Sequence, residues 1–286
     1  FDARGEHLEG LRRRFDMESL SDGLNKMGLK VIVDSMHGSA AGCVSDLFGM
    51  QGNGQIEEIR DNRDPLFGGN PPEPLDAYLG ELINAVKASK ENGQPAIGLA
   101  FDGDGDRIAA IDEDGRFCST QLLMPLIIDH LASARDLPGS VVKTVSGSDL
   151  MRLVAERHGR HVLEKPVGFK YIAAEMLSGE VLVGGEESGG IGFGMHLPER
   201  DALFTALILL ESLVEGGTSL GKRLYSLYDS FGGENVYQRI DIRLADMSSR
   251  QRLEDLLEQN PPSKVADQSV QEVIRTDGLK LRLGKG

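Results

Sequence analysis

Cysteine is scarce in this chain: among 286 residues only Cys43 and Cys118 occur, and they form no Cys-x-x-Cys pair. That excludes a disulfide framework and a cysteine metal knuckle, and it points to a reducing compartment, the cytoplasm. Long apolar runs are lacking as well. No stretch reaches the roughly 18 apolar residues that span a bilayer, and residues 1–14 are mixed and charged, unlike a signal peptide, so neither a membrane nor export is expected. Basic residues are in deficit, with 31 Lys and Arg against 45 Asp and Glu, a formal charge of -14 and a pI near 4.9. Such a surface repels a phosphate backbone, so nucleic acid is excluded as a partner, and an anionic small molecule would have to be held by local cations or a metal. What remains is ordinary: hydrophobic residues at 40%, charged residues at 27%, and a length that suits two domains and a remnant.

Helical spacing runs through Leu8, Leu11, Phe15, Leu20 and Leu24, and residues 30–34 then read as a short buried strand. A turn and a helix over 40–48 follow. Residues 51–74, rich in Gly, Asn, Asp and Pro, read as a long surface connection. An amphipathic helix over 75–90 and an apolar strand over 96–101 lead into the polar run 102–107, then a hairpin and an apolar helix over 121–134. The signals restart near Pro138: strands over 141–145, 161–163 and 181–183 alternate with helices over 148–158 and 171–177, before helical stretches at 201–214 and 220–231. From Gln238 a strand, a helix over 250–258 and strands near Val270 and Leu279 read as an incomplete third unit. The expected fold is α/β: consecutive αβ domains with mixed sheets covered by helices at 1–134 and 135–234, plus a partial α+β unit at 235–286. No internal repeat is evident in the residues.

Three loops carry chemistry. Asp102-Gly103-Asp104-Gly105-Asp106-Arg107 sets carboxylates at alternate positions, with glycines that let the chain curl until the oxygens converge. Converging carboxylates repel unless a cation joins them, and an all-oxygen set suits Mg²⁺ or Ca²⁺ rather than zinc. An EF-hand matches the Asp spacing and Glu113 in the twelfth position, but it needs glycine where Arg107 stands and helices where strands are read. An Asp-rich surface turn and the Asp-x-Asp pair of a metal-dependent glycosyltransferase are the other readings. Gly184-Gly185-Glu186-Glu187-Ser188-Gly189-Gly190 packs acids and a hydroxyl among glycines, which suits sugar hydroxyls or a plain flexible turn. Around the turn Pro166-Val167-Gly168, Lys165 and Lys170 would neutralise a phosphate or move a proton, or simply be solvated. Ser35, His37 and Ser39 place hydroxyls beside a histidine without an orienting third group, and Ser148 reads as a helix N-cap rather than a phosphate cradle.

In this order and at these separations, the D-G-D-G-D-R, P-V-G-F-K and G-E-E-S-G-G strings resemble the α-D-phosphohexomutase superfamily, and within it the bacterial phosphoglucomutase/phosphomannomutase group. The likeness takes in D-S-M-H-G-S-A-A-G early in the chain and T-D-G-L-K near its end. It is weaker toward the phosphoglucosamine branch, whose sugar loop usually carries Gln where Glu187 stands. The resemblance implies domains 2 and 3 of a four-domain enzyme, acting on hexose phosphates through a phosphoserine and a hexose 1,6-bisphosphate intermediate. It implies Mg²⁺ on Asp102, Asp104 and Asp106, with Arg107 beside the phosphoryl group. Glu186 and Ser188 would hold sugar O3 and O4, with Gly185 and Lys165 as further substrate contacts and Lys170 as acid or base. Neither the family's T-A-S-H-N-P serine loop nor its R-x-S-G-T-E-P phosphate loop occurs here, so both ends are expected to be cut and the chain to be inactive alone. A non-catalytic sugar-phosphate-binding relative is the rival of another class.

Overall fold

Short β-branched strands alternate with helices in this chain, and the outcome is two sheets that trace the same path. The computed structural model describes residues 1–52, 54–233, 238, 240, 242, 244 and 246–284. In the first sheet β1 (Lys30–Asp34), β2 (Ile56–Ile59), β3 (Ala96–Phe101), β4 (Ile108–Ile111) and β5 (Phe117–Cys118) lie in the order β2-β1-β3-β4-β5. β1, β2 and β3 pair in parallel, and β4 pairs antiparallel with both β3 and β5. Helices α3 (Cys43–Phe48) and α4 (Gly80–Glu91) make the crossovers. Every residue of β3 and β4 is buried, because packed layers cover both faces of the central strands.

The second sheet, β6 (Ser140–Thr144), β7 (Val162–Lys165), β8 (Val181–Gly185) and β9 (Ile191–Phe193), has the order β7-β6-β8-β9, with α6 (Asp149–Arg157) and α7 (Phe169–Ser178) as crossovers. Only β9 runs antiparallel. Both units are therefore β-α-β-α-β-β, a repetition that leaves no trace in the residues because each position needs only the right polarity. In each, the last parallel strand folds back through a hairpin turn, at 102–107 and at 186–190. Two strands depart from the sequence reading. β2 lies inside the expected surface connection, its two glutamates hiding a four-residue edge strand, and β9 is too short to register as a strand.

The opening helical stretch breaks in two, α1 (Ala3–Arg12) and α2 (Met17–Met27), because Asp16 leaves the helix to cap the second by accepting from Ser19 N at 2.9 Å. Helix α2 packs on α8 (Ala202–Gly216), which is buried almost all round. One continuous core joins the units, running from Phe15 and Leu24 through Leu99 and Met124 to Phe204. The Phe15 and Phe204 rings meet edge to face at 5.0 Å. Helix α5 (Thr120–Ser133), expected at the end of the first unit, touches β4 and β5 of the first sheet but packs more extensively on α6, β8, α8 and α9 (Leu220–Asp229). We therefore propose a division before Thr120 rather than after Ala134; the expected boundary at 234 lies outside the described residues.

After it, α10 (Met247–Gln259) and an antiparallel sheet of β10 (Lys264–Val265), β11 (Gln268–Ile274) and β12 (Lys280–Leu283) form a unit with no buried residue among those described. Of the strand expected from Gln238, residues 239, 241, 243 and 245 lie outside the described residues. Polar contacts dock this unit: Lys280 Nζ pairs with Glu164 at 2.7 Å, and Val167 N donates to Asp277 Oδ2 at 2.8 Å. Among the described residues no single helix is long and apolar enough to cross a membrane, and Cys43 and Cys118 are buried free thiols.

Asp201 ties the N-terminal helices to the second unit. It caps α8 by accepting from Phe204 N at 2.9 Å, and its Oδ2 meets His196 Nε2 at 2.8 Å and His7 Nε2 at 3.3 Å. Burial pulls its carboxyl upward, but the hydrogen bonds from His196 and His7 outweigh this and hold it well below the usual carboxylate range. The hydrogen bond to Asp201 raises His7 above 6.5, against burial. The Asp201 contribution is present at neutral pH and lost only as pH falls toward its depressed folded value. That of His7 is full below about 6.5 and fades as pH rises through its raised folded value. Asp201→Asn is expected to lower the unfolding free energy by about 1–3 kcal/mol, more at acidic than at alkaline pH. Urea denaturation at the two values checks this; equal losses would remove His7 from the account.

Candidate active site

Asp102 shapes the first hairpin turn. Its carboxylate is fully buried, and Oδ1 accepts from the main-chain N–H of Gly105 at 3.0 Å, Asp106 at 2.9 Å and Arg107 at 3.1 Å. Oδ2 takes Arg107 Nε at 2.6 Å. These bonds wind the loop around one acid, and Gly105, at φ +78, supplies the left-handed residue the curl requires. The carboxylates of buried Asp102, exposed Asp104 and half-buried Asp106 bring one oxygen each within 4.8 Å of the others. Burial and the charge of Asp102 push Asp106 up to about 6, with Arg200 pulling the other way.

The second turn lies directly against the first. Ile108 N donates to Gly189 O at 3.1 Å, and Arg107 bridges Gly190. Gly189 has φ +112, and a Cβ there would sit 2.9 Å from Ile108 O, so the close approach excludes any side chain. Glu186 is buried in this turn and accepts from Gly168 N at 3.0 Å, which ties the glutamate-serine loop to the Pro-Val-Gly loop. Burial raises its carboxyl above the ordinary value, opposed by Arg200 and the Gly168 N–H. Lys170 stands exposed in the first turn of α7, its Nζ 5.0 Å from the Tyr171 ring centroid.

All three loops open into one cavity of about 560 Å³, lined by Asp102, Asp104, Asp106, Arg107, Lys170, Glu186 and Ser188. This size is within the range of small-molecule pockets. Two expected contacts are not brought there. Lys165 points to the other side of its turn and pairs with Glu175 of α7 at 2.5 Å. Gly185 ends β8, is absent from the cavity lining, and a Cβ there would lie 2.6 Å from Met124 Sδ. Arg200 and Glu199 line the cavity and escaped the sequence reading. Arg200 Nη2 lies 2.6 Å from Asp106 Oδ2 and Nη1 4.0 Å from Glu186 Oε2. The run Pro198-Glu199-Arg200-Asp201 marked a helix start and gave no sign that its arginine faces two acids far back in the chain.

The rival constellations dissolve. Glu113 accepts from Gly221 N at 2.9 Å and lies beyond β4, so no EF-hand forms. Ser35 Oγ is buried without a partner among the described residues while His37 Nδ1 meets Asn62 O at 2.9 Å, so the two make no nucleophile pair. Ser148 Oγ accepts from Leu150 N at 3.1 Å, the plain N-cap expected. The acidic triad fits a hard divalent ion: three carboxylate oxygens converge, one from an exposed and one from a half-buried side chain, beside a cavity.

Two α/β units present their hairpin turns, an acidic loop and a glutamate-serine loop, to one cleft. Family models place the chain: phosphoglucomutase/phosphomannomutase, alpha/beta/alpha domain II, matches residues 6–115, and domain III of the same family matches 120–231. The chain belongs to the phosphoglucomutase/phosphomannomutase family, and the gap between the matched spans falls before α5. A phosphoglucosamine mutase of Streptococcus thermophilus is 31% identical over 223 residues, 76% of this chain and 47% of that protein. A phosphoglucomutase/phosphomannomutase of Thermococcus kodakarensis is 28% identical over 221 residues, 77% of this chain and 46% of that one. The crystal structure of a phosphomannomutase homologue from Thermus thermophilus superposes with a TM-score of 0.80 at 30% identity, covering 99% of this chain and 59% of that one. The chain thus spans about half the length of the curated relatives it matches. Overall identity does not set the phosphoglucosamine branch apart, and Glu187, whose identity argued against it, is not among the cavity residues.

Two substitutions separate shape from ligation. Asp104→Asn is expected to abolish Mg²⁺ binding in calorimetry with the melting temperature unchanged. Asp102→Asn, which loses an acceptor for three N–H groups, should abolish binding and also lower the melting temperature by several degrees. Undiminished Mg²⁺ binding by the Asp104 variant would remove the triad as a metal site.

Proposed function

We propose that this chain carries the metal- and sugar-binding portion of a phosphohexose mutase that interconverts hexose 1-phosphate and hexose 6-phosphate through a 1,6-bisphosphate. The observation that carries it is the joining of the acidic turn to the glutamate-serine turn, backbone to backbone, at the mouth of one cavity. Glu186 and Ser188 would grip the O3 and O4 hydroxyls, midway between the two phosphorylated ends, so that turning the sugar about them presents either end to the acidic loop. When bound by Asp102, Asp104 and Asp106, Mg²⁺ neutralises charge building on the transferring phosphoryl group.

In the transfer, the phosphoserine Oγ–P bond breaks as a bond forms from phosphorus to the free sugar hydroxyl oxygen. Lys170 Nζ accepts the hydroxyl proton and returns it in the reverse half-reaction. Arg107, anchored on Asp102, orients the phosphoryl oxygens from the same loop. The phosphoserine of the family's T-A-S-H-N-P loop has no counterpart among these residues. The grip on O3 and O4 is blind to C2, where glucose, mannose and glucosamine differ, so these contacts suit all three.

With Mg²⁺ present, the purified chain is expected to bind glucose 1,6-bisphosphate without interconverting glucose 1-phosphate and glucose 6-phosphate. Glu186→Gln and Ser188→Ala should each weaken binding about tenfold, the effect of a lost hydrogen bond in a partly buried site, while Lys165→Met changes it less than about twofold. Calorimetry decides: preference for a nucleotide sugar over the bisphosphate would overturn the mutase reading in favour of a glycosyltransferase.

A further inference from the structure

We infer that Arg200 is a resident counter-ion of the acidic turn, which an incoming divalent ion displaces from Asp106 and which then meets the anionic group of the substrate. Its guanidinium reaches across from the second unit to Asp106 Oδ2 at 2.6 Å, while Arg107 is committed to Asp102. Three carboxylates so close together need this second cation as long as no metal is bound. The berth is built for it. A Cβ at Gly190 would lie 2.3 Å from Arg200 Cδ, so the arginine lies across a backbone that only glycine leaves open. Its guanidinium stands 5.5 Å from the Phe169 ring centroid, and Glu186 Oε2 waits at 4.0 Å.

Asp106 belongs to both arrangements. A divalent ion on the triad and a guanidinium on one of its ligands would repel at short range, so the ion takes Asp106 and the arginine leaves it. Phe169 and Glu186 keep the side chain inside the cavity, where a phosphate offers two oxygens to its planar fork. The exchange at Asp106 stands on geometry alone. The identity of the anion rests on the mutase reading.

The two halves carry opposite signs. Arg200→Gln is expected to bind Mg²⁺ roughly two- to fivefold more tightly than the unaltered chain, since a partly exposed competitor is gone. In saturating Mg²⁺ it should bind glucose 1,6-bisphosphate about tenfold more weakly. Arg250→Gln, at an exposed pair on α10, should change neither. A structural loss would weaken both affinities, so unchanged or weaker Mg²⁺ binding overturns the exchange, and unchanged bisphosphate binding overturns the hand-over. Should Arg200→Gln fold poorly, the Arg200 Nε signal of the unaltered chain, identified by its loss in Arg200→Lys, serves instead. It should shift on adding Mg²⁺ alone, and a stationary signal overturns the proposal. If the unaltered chain binds Mg²⁺ but no sugar phosphate, the mutase reading falls while the Mg²⁺ comparison still decides the exchange.

Discussion

Two hairpin turns lie backbone against backbone, Ile108 N–H on Gly189 C=O at 3.1 Å, and the geometry of the cavity depends on that contact. It sets the distance between an acidic loop and a glutamate-serine loop that come from different sheets, about eighty residues apart in the chain. Main-chain contact leaves little play, because neither a rotamer change nor a side-chain swing can lengthen it. The contact exists only because Gly189 carries no Cβ, and the same freedom at Gly190 admits Arg200. The glycines that seemed merely permissive in the sugar-type loop are therefore the residues that join the two units.

Charge is the second constraint. On the proposed function, a chain of formal charge -14 would have to hold an anion in a cleft whose floor is three carboxylates. The surrounding field opposes binding, so attraction has to be local: Arg107 on Asp102, Arg200 on Asp106, and Lys170 at the rim. Each cation is fastened by a different element, the hairpin turn itself, the segment before α8 and the first turn of α7. The continuous core around Phe204 and Met124 keeps these elements in register. Burial at the cavity underlies the upward shifts at Asp106 and Glu186, so packing and site electrostatics are linked.

The D-G-D-G-D-R loop was legible because its carboxylates act as neighbours: residues two apart in a curled loop converge whatever else the fold does. The alternation of elements was legible because buried strands and amphipathic helices carry their periodicity locally. β2 escaped because edge strands need little apolar character, and β9 because three residues hold no period. That Lys170 lines the cavity while Lys165 pairs with Glu175 was decided by the course of a turn, with Gly168 at φ +127 and Glu186 and Asp277 holding it from two distant segments. The place of α5 likewise followed its apolar surface, which suits either sheet by composition and lies between both, packed more extensively on the second unit.

By itself, then, the sequence determined which residues could bear charge, hydroxyl or proton chemistry, and the order of strands and helices, since these follow from side-chain identity and short-range spacing. Only the tertiary structure decided which of them share a cavity. Arg200 entered it, Lys165 and Gly185 stayed outside, and two units without resemblance in sequence took one topology. The physical reason is that convergence depends on how layers pack and where backbone can approach backbone, and these are properties of the whole core rather than of any window of residues.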